Sequence, residues 1–239
     1  MSGTRSRPQA TRPRLNVEAL VGRVARNPAL LPEVFGGLES AEANIRYGSL
    51  KALRLLGETR PDLLYPSFQQ IAGLLDSANN LFQWAALRIL ADLAKVDSSN
   101  QLDGWLDQYF RPMGGPNLIT AANAIMGAVQ IARAKPQWMD RIVRELLQVE
   151  DGNYQTPECR QVALSHVLKA LQSLYAGRPA PENVLTFATR QQSNRRSAVK
   201  AKATTFLRKQ QALRSHPACA ATQPPGPGRR RTPGSRPSR

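Results

Sequence analysis

A repeated pairing of a small residue with a larger aliphatic residue constrains the fold of this chain more than any other feature. The pair occurs four times, and apolar residues recur three and six positions after each one, as on one face of an α-helix. The four pairs are Ser49–Leu50, Ala86–Leu87, Ala124–Ile125 and Ala163–Leu164. Successive pairs lie 37, 38 and 39 residues apart. A period of this length predicts helical units that stack on one another.

A second helical segment precedes each of these four helices. Three of the preceding segments begin with a proline, which is tolerated at the first helical position because its missing N–H would be unpaired there. These prolines are Pro28, Pro61 and Pro136. Another segment begins after Ser99, a residue that can cap a helix. A fifth begins at residue 180, and residues 195–214 follow it as its second helix.

No stretch of the chain alternates apolar and polar residues as a strand would. Alanine and leucine dominate the apolar residues and only 6% of residues are aromatic, which favours helices over strands. We therefore predict an all-α fold: an α-solenoid of about five antiparallel helix pairs that spans residues 15–212. The alternative is an ordinary helical bundle without stacked repeats.

The net charge of +16 is concentrated at the two ends of the chain. Residues 1–14 carry four arginines and no acid, and residues 190–239 carry thirteen basic residues and no acid. All 17 acidic residues therefore lie within residues 15–189, together with 16 basic ones. Residues 1–14 and 213–239 are poor in the apolar residues that offset the entropy lost when a chain is ordered. We predict that both are disordered basic tails.

The segment ANIRYGSLKALRLLGE, which begins at residue 43, resembles the second helix of a HEAT repeat. Arg46 follows an apolar residue there, and Ala52 and Leu53 stand further along. The chain thus resembles the HEAT and armadillo class of helical-repeat proteins over roughly residues 16–212. This resemblance implies an extended concave surface on which another polypeptide docks. The arginine ladder of strict HEAT arrays is absent, because later units have Gln83, Ala121 and Gln161 near the position of Arg46.

Few residues could support catalysis. His166 lies in a helix that must pack against its neighbours, and His216 lies in the C-terminal tail. No acidic cluster has metal-ligand spacing, and the glycines at 114 and 115 are not followed by the Lys–Ser/Thr pair of a phosphate-binding loop. We therefore expect no enzymatic activity, no cofactor and no metal site.

Three tryptophans leave one remote enzymatic alternative. Some HEAT-like DNA glycosylases remove alkylated bases with aromatic and acidic residues on a concave surface. Asp107 follows Trp105 closely and Asp140 follows Trp138, while Trp84 lies in another helix. Because no motif matches residue by residue, we interpret the tryptophans as packing residues.

Residues 15–189 are nearly neutral in net charge, which favours protein binding on the concave face. A groove that follows a nucleic acid along its length needs Lys and Arg on every repeat. We also expect a cytoplasmic protein. No apolar run approaches the ~20 residues of a membrane span, and Cys159 and Cys219 make no disulfide framework.

The basic C-terminal end supports the alternative, a nucleic-acid-binding HEAT-like protein. The residues that could contact a polyanion are Arg190, Arg195, Arg196, Lys200, Lys202, Arg208, Lys209 and Arg214. Such contacts would weaken as salt is added. A competing interpretation is that residues 195–214 form the closing helix, whose outer face must be polar for solubility.

Overall fold

The computed structural model of the protein describes residues 15–215, and this range contains helices and no strand. The residues outside it include most of both predicted tails, 1–14 and 213–239. The α-helices within the described range are α1 (Val17–Arg26), α2 (Leu31–Gly37), α3 (Ala43–Thr59), α4 (Pro61–Leu64), α5 (Phe68–Gly73), α6 (Asn80–Leu93), α7 (Leu106–Phe110), α8 (Leu118–Ala134), α9 (Met139–Gln148), α10 (Pro157–Leu174), α11 (Glu182–Gln191) and α12 (Ser197–Ser215). Short 3-10 turns lie at Pro28–Leu30, Tyr65–Ser67, Leu74–Asp76, Gln101–Trp105, Arg111–Gly114, Pro136–Trp138 and Val149–Asp151.

The helices form two layers. The long helices α3, α6, α8, α10 and α12 make up the second-helix layer, in which each helix packs against the next. They begin at Ala43, Asn80, Leu118, Pro157 and Ser197, at intervals of 37, 38, 39 and 40 residues. The shorter helices α2, α4, α5, α7, α9 and α11, with their 3-10 turns, form the first-helix layer. The predicted all-α solenoid of five helix pairs is confirmed.

Helix α1 is an additional half unit that the sequence pattern did not distinguish. It packs against α3, on the side where a preceding second helix would lie. Val17 and Val24 are its buried residues. The helix therefore covers the first end of the second-helix layer.

Prolines set three of the corners between units. Asn27, Arg60 and Lys135 each precede a proline and adopt non-helical φ/ψ angles of −137°/88°, −142°/59° and −131°/78°. A proline disfavours helical geometry in the residue before it, so one residue is enough to end one helix and begin the next. The recurrence of this corner follows directly from the spacing of the prolines.

The predicted Ser99 cap is wrong. The 3-10 turn begins at Gln101, after Asn100, which has a positive φ of 54°. The Asp97 carboxylate caps this turn instead, because it accepts hydrogen bonds from the backbone N–H groups of Gln101 (2.8 Å) and Leu102 (3.2 Å). A carboxylate is well suited to this position, where several amides have no intrahelical partner.

The core lies between the two layers. The apolar residues that follow the four sequence pairs are all buried, with at most 1% of their surface exposed: Leu53, Leu56, Leu90, Leu93, Ala128, Ile131, Val167 and Ala170. Side-chain hydrogen bonds between units join residues 22 to 41 positions apart in the chain. The contacts thus connect neighbouring units, as in a one-dimensional stack.

Candidate interaction groove

An open groove with a volume of about 390 Å³ crosses the second-helix layer. Four consecutive second helices contribute residues to the groove. The first and the last of these residues, Arg54 and His166, are more than 100 positions apart in the chain. The lining residues are Arg54 and Glu58 from α3, Arg88 and Asp92 from α6, Leu118, Ile119, Ala122, Asn123, Met126, Gly127 and Gln130 from α8, and His166 from α10.

Exposed apolar side chains concentrate on the same layer. Among the residues of the described range, five large apolar side chains are markedly exposed, and all belong to α3, α6 or α8: Ile45, Tyr47, Leu81, Ile119 and Met126. Ile119 is 53% exposed and Met126 is 42% exposed, and both line the groove. Because they are seven residues apart, they lie on the same face of α8.

Sequence reasoning missed Ile119 and Met126, although α8 contains a signal for them. Its sequence, LITAANAIMGAVQIARA, has apolar residues on every face. A helix of this kind is either fully buried or exposes part of its apolar surface on the outside of the protein. Residues such as Ala124, Ile125 and Ala128 are buried in the core, whereas Ile119 and Met126 point outward.

Charges at the α3–α6 end of the groove are balanced. Glu58 pairs closely with Arg54 and lies 3.8 Å from Arg88. Asp92, whose side chain is only 8% exposed, lies 3.2 Å from Lys95. This end therefore presents both signs of charge.

Charges at the α10–α12 end are mostly positive. Helices α8 and α12 contain no acidic residue, and α10 contains only Glu158. Lys202 of α12 donates a hydrogen bond to the Ser165 hydroxyl of α10, next to His166. Burial lowers the pKa of His166, and the positive charges of Lys202 and Lys169 lower it further.

The eight basic residues predicted as a polyanion contact do not form one uniform face. Four of them are held by neighbouring residues: Arg190 by Glu150 at 2.6 Å, Arg196 by Glu158, Lys202 by Ser165, and Arg214 by Glu182 at 3.8 Å and the Ala180 carbonyl at 3.3 Å. The side chains of the other four make no hydrogen bond or ion pair with any residue of the described range: Arg195, Lys200, Arg208 and Lys209.

Helix α12 closes the second-helix layer within the described range. Val199, Ala203 and Phe206 are buried, with at most 1% of their surface exposed, and α12 packs against α10 and α11. Ala198 and Ala201 are exposed. Arg208 lies one turn from Thr204 and Gln211 on the exposed side of α12, as expected for the polar outer face of a terminal unit.

The tryptophans join neighbouring units. Trp84 Nε1 donates to Thr120 Oγ1 at 2.8 Å, and Trp138 Nε1 donates to Asp103 Oδ1 at 2.7 Å. Trp105 is half-buried against the core. Their observed contacts are those of packing residues, and the acids that follow them in sequence are not their partners.

Residues 15–215 contain no group of three or more His, Cys, Asp or Glu side chains that could hold a metal ion. None of the helices in this range has the length and apolar character that a membrane span needs. His216 and Cys219 lie outside the described residues.

The fold, but not the sequence, is similar to known proteins. A designed armadillo repeat protein has a TM-score of 0.53 and 14% sequence identity, over 80% of this chain and 86% of that chain. An engineered protein solved by a structural genomics consortium has a TM-score of 0.50 and 15% identity, over 84% of this chain and 85% of that chain. No protein-family model matches the sequence, and no curated protein matches it. The likeness establishes an armadillo-like helical-repeat solenoid.

Proposed function

We propose that this armadillo-like solenoid is a non-enzymatic interaction scaffold that binds a segment of a protein partner along the groove. The observation that carries the proposal is the exposure of Ile119 (53%) and Met126 (42%) in the centre of the groove. Exposed apolar side chains surrounded by polar groups are typical of protein interaction sites. The groove lies on the second-helix layer, and the repeat resemblance implies binding on the surface that successive second helices form.

The dimensions of the groove fit an extended segment. It crosses three helix-to-helix spacings, from α3 to α10, which correspond to about 24–30 Å at typical packing distances. An extended chain advances about 3.3 Å per residue, so roughly eight residues would span this distance. Polar side chains such as Asn123 and Gln130 line the same path and could hydrogen-bond the backbone of the segment.

Selection of binders from a random 12-residue peptide library against the full chain tests this function. We expect selected peptides to contain apolar residues and to lose about tenfold or more in affinity when Ile119→Asp and Met126→Asp are combined, because each apolar side chain contributes roughly 1.5–3 kcal/mol when buried. Both residues are exposed, so the protein should remain folded, which circular dichroism would confirm. Thr186→Asp, at an exposed position of the first-helix layer, is the control. Peptides that bind the double variant and the wild type equally would overturn the proposal.

Nucleic-acid binding is a second candidate function. It is favoured by four basic residues whose side chains have no partner within residues 15–215: Arg195, Lys200, Arg208 and Lys209. Against it, Glu58 and Asp92 lie in the groove, where they would repel a phosphate backbone. Salt-titrated binding of duplex and single-stranded DNA separates the two functions. If DNA binds at moderate salt and Lys200→Glu with Arg208→Glu abolishes it, the second candidate is correct.

A further inference from the structure

We infer that the groove selects a partner segment with acidic residues at one end, and that it orients this segment with the acidic end over Lys169, Lys202 and Lys209 and an apolar residue over Met126. The inference rests on the proposed function and specifies its partner class. The three lysines will be called the lysine strip.

The lysine strip is continuous with the groove. On α10, Lys169 lies between His166, which lines the groove, and Gln172, which lines a second cavity with Lys209. Lys202 faces α10, since it donates to Ser165. Lys209 follows Lys202 by seven residues and therefore lies on the same face of α12. The three ammonium groups thus extend the groove beyond His166.

The lysine strip is also uncompensated. Within residues 15–215, neither Lys169 nor Lys209 forms a hydrogen bond or ion pair, and Lys202 contacts only a hydroxyl. At the opposite end of the groove, Arg54, Arg88 and Lys95 all have carboxylate partners. A cation without an internal partner can bind an external carboxylate directly, whereas a cation that is already paired must first give up its internal partner. This asymmetry assigns the acidic part of the segment to the α10–α12 end.

The distance between the two contact regions fixes the spacing in the segment. Met126 on α8 and the lysines of α12 are separated by two helix spacings, or about 16–20 Å. This distance corresponds to roughly five or six residues of extended chain, with Lys169 about halfway. The segment is therefore expected to have an apolar residue and, about three to six residues away, a run of acidic residues.

A protein segment fits this pattern better than a nucleic acid. A phosphate backbone carries negative charge along its entire length, so it would meet the carboxylates of Glu58 and Asp92 as well as the lysines. The apolar surface of Ile119 and Met126 would also have no phosphate or sugar group to match it. A peptide can carry its acidic and apolar residues at separate ends.

The test uses the full chain and fluorescein-labelled nine-residue peptides. The first peptide has two leucines, a three-residue Gly/Ser spacer and a run of four glutamates, and the others replace the glutamates with glutamine or lysine. We expect the glutamate peptide to bind at least about tenfold more tightly than the glutamine peptide. The variant Lys169→Glu/Lys202→Glu/Lys209→Glu should remove this preference, and Arg23→Glu/Arg26→Glu/Arg144→Glu, with the same change in net charge, should retain it.

Carbodiimide cross-linking of the bound glutamate peptide tests the orientation. Amide bonds should form between peptide carboxylates and Lys169, Lys202 or Lys209, and not with Lys51 or Lys95 at the other end of the layer. Equal binding of the glutamate and glutamine peptides would overturn the inference, and so would cross-links to Lys51 or Lys95. The proposed function would still stand in either case if the Ile119/Met126 double variant weakens peptide binding. Failure of the glutamate peptide to bind also overturns the inference, and failure of the library selection overturns the proposed function with it. DNA binding that the triple lysine variant abolishes would assign the strip to nucleic acid.

Discussion

Lys135 Nζ lies 2.8 Å from Asp97 Oδ2, and the two side chains are 6% and 0% exposed. Lys135 also donates to the backbone carbonyl of Asp97 at 2.9 Å, and Tyr65 donates its hydroxyl proton to Asp97 Oδ1 at 2.6 Å. Tyr65, Asp97 and Lys135 come from three successive units, so one buried carboxylate connects them. It also caps the 3-10 turn at Gln101.

Lys135→Met should destabilise the protein by about 3–5 kcal/mol, because it leaves a buried carboxylate without its cationic partner. The double variant Lys135→Met/Asp97→Asn should recover much of this loss, since the neutral amide needs no counter-charge and still accepts hydrogen bonds from the turn. Urea unfolding followed by circular dichroism measures both. A single variant that loses less than about 1 kcal/mol would contradict a structural role for the pair.

The same carboxylate should make stability depend on pH in the acid range. Burial by itself raises the pKa of Asp97, but hydrogen bonds from Lys135, Tyr65 and two backbone amides outweigh burial and lower it below the ordinary value. Because the pKa of Asp97 is lower in the folded state than in the unfolded state, the ionised carboxylate stabilises the fold at pH values above the unfolded pKa of about 3.9. This stabilisation is lost as pH falls through the folded pKa. Asp97→Asn should therefore reduce stability at pH 7 and flatten its decline in acid. Glu33→Gln, at an exposed position, should leave the decline unchanged.

The sequence predicted the fold far better than the groove, and the reason is physical. Burial of Leu53, Leu90 and their equivalents depends on the local helical period, which any single helix displays. The groove depends on which residues of helices about 38 positions apart lie side by side, and no local pattern encodes this. Residues 195–214 show the same difference. Their total charge was evident in the sequence. Only the packing of α12 against α10 distinguishes Arg196 and Arg214, which have carboxylate partners, from Lys202 and Lys209, which do not.

Gly127→Ala should destabilise the protein, although alanine is normally favoured over glycine inside a helix by about 1 kcal/mol. A Cβ atom at Gly127 would lie 3.1 Å from Ala91 Cβ and too close to the buried hydroxyl of Tyr109, which donates to the Leu87 carbonyl. We expect a loss of roughly 1–3 kcal/mol from overpacking. Thermal unfolding is the measurement.

Two further variants test the cause of this loss. Tyr109→Phe removes the hydroxyl, so part of the destabilisation by Gly127→Ala should disappear in the double variant. Gly22→Ala, whose Cβ would meet only Arg26 Nη1 at 3.7 Å, should be neutral or stabilising. Equal effects of alanine at the two glycines would exclude the overpacking explanation.

Helix α12 is expected to be required for folding, whatever its role in binding. Phe206 is 1% exposed, and Gln210 holds the end of the loop between α10 and α11 by accepting from the Ala180 N–H at 2.7 Å. Phe206→Ala should cost about 3–5 kcal/mol, whereas Arg208→Ala should change stability by less than about 0.5 kcal/mol. Urea unfolding of the two variants is the measurement, and a small effect of Phe206→Ala would show that α12 is dispensable. Charge-reversal variants are therefore a better test of binding than a chain that ends before α12.

Lys202→Met should raise the pKa of His166. In the folded protein burial lowers this pKa most, and the nearby charges of Lys202 and Lys169 lower it further, because a neighbouring cation disfavours the protonated imidazole. Removing one of these cations while keeping a side chain of similar length should move the pKa upward, towards the ordinary value. An NMR titration of the imidazole protons measures it, with His166→Gln used to assign the signal against His216. Lys200→Met, on the same helix but not among the cations that act on His166, should leave the titration unchanged. An unaltered pKa in Lys202→Met would mean that the lysine does not face His166, and the lysine strip would then lose its contact with the groove.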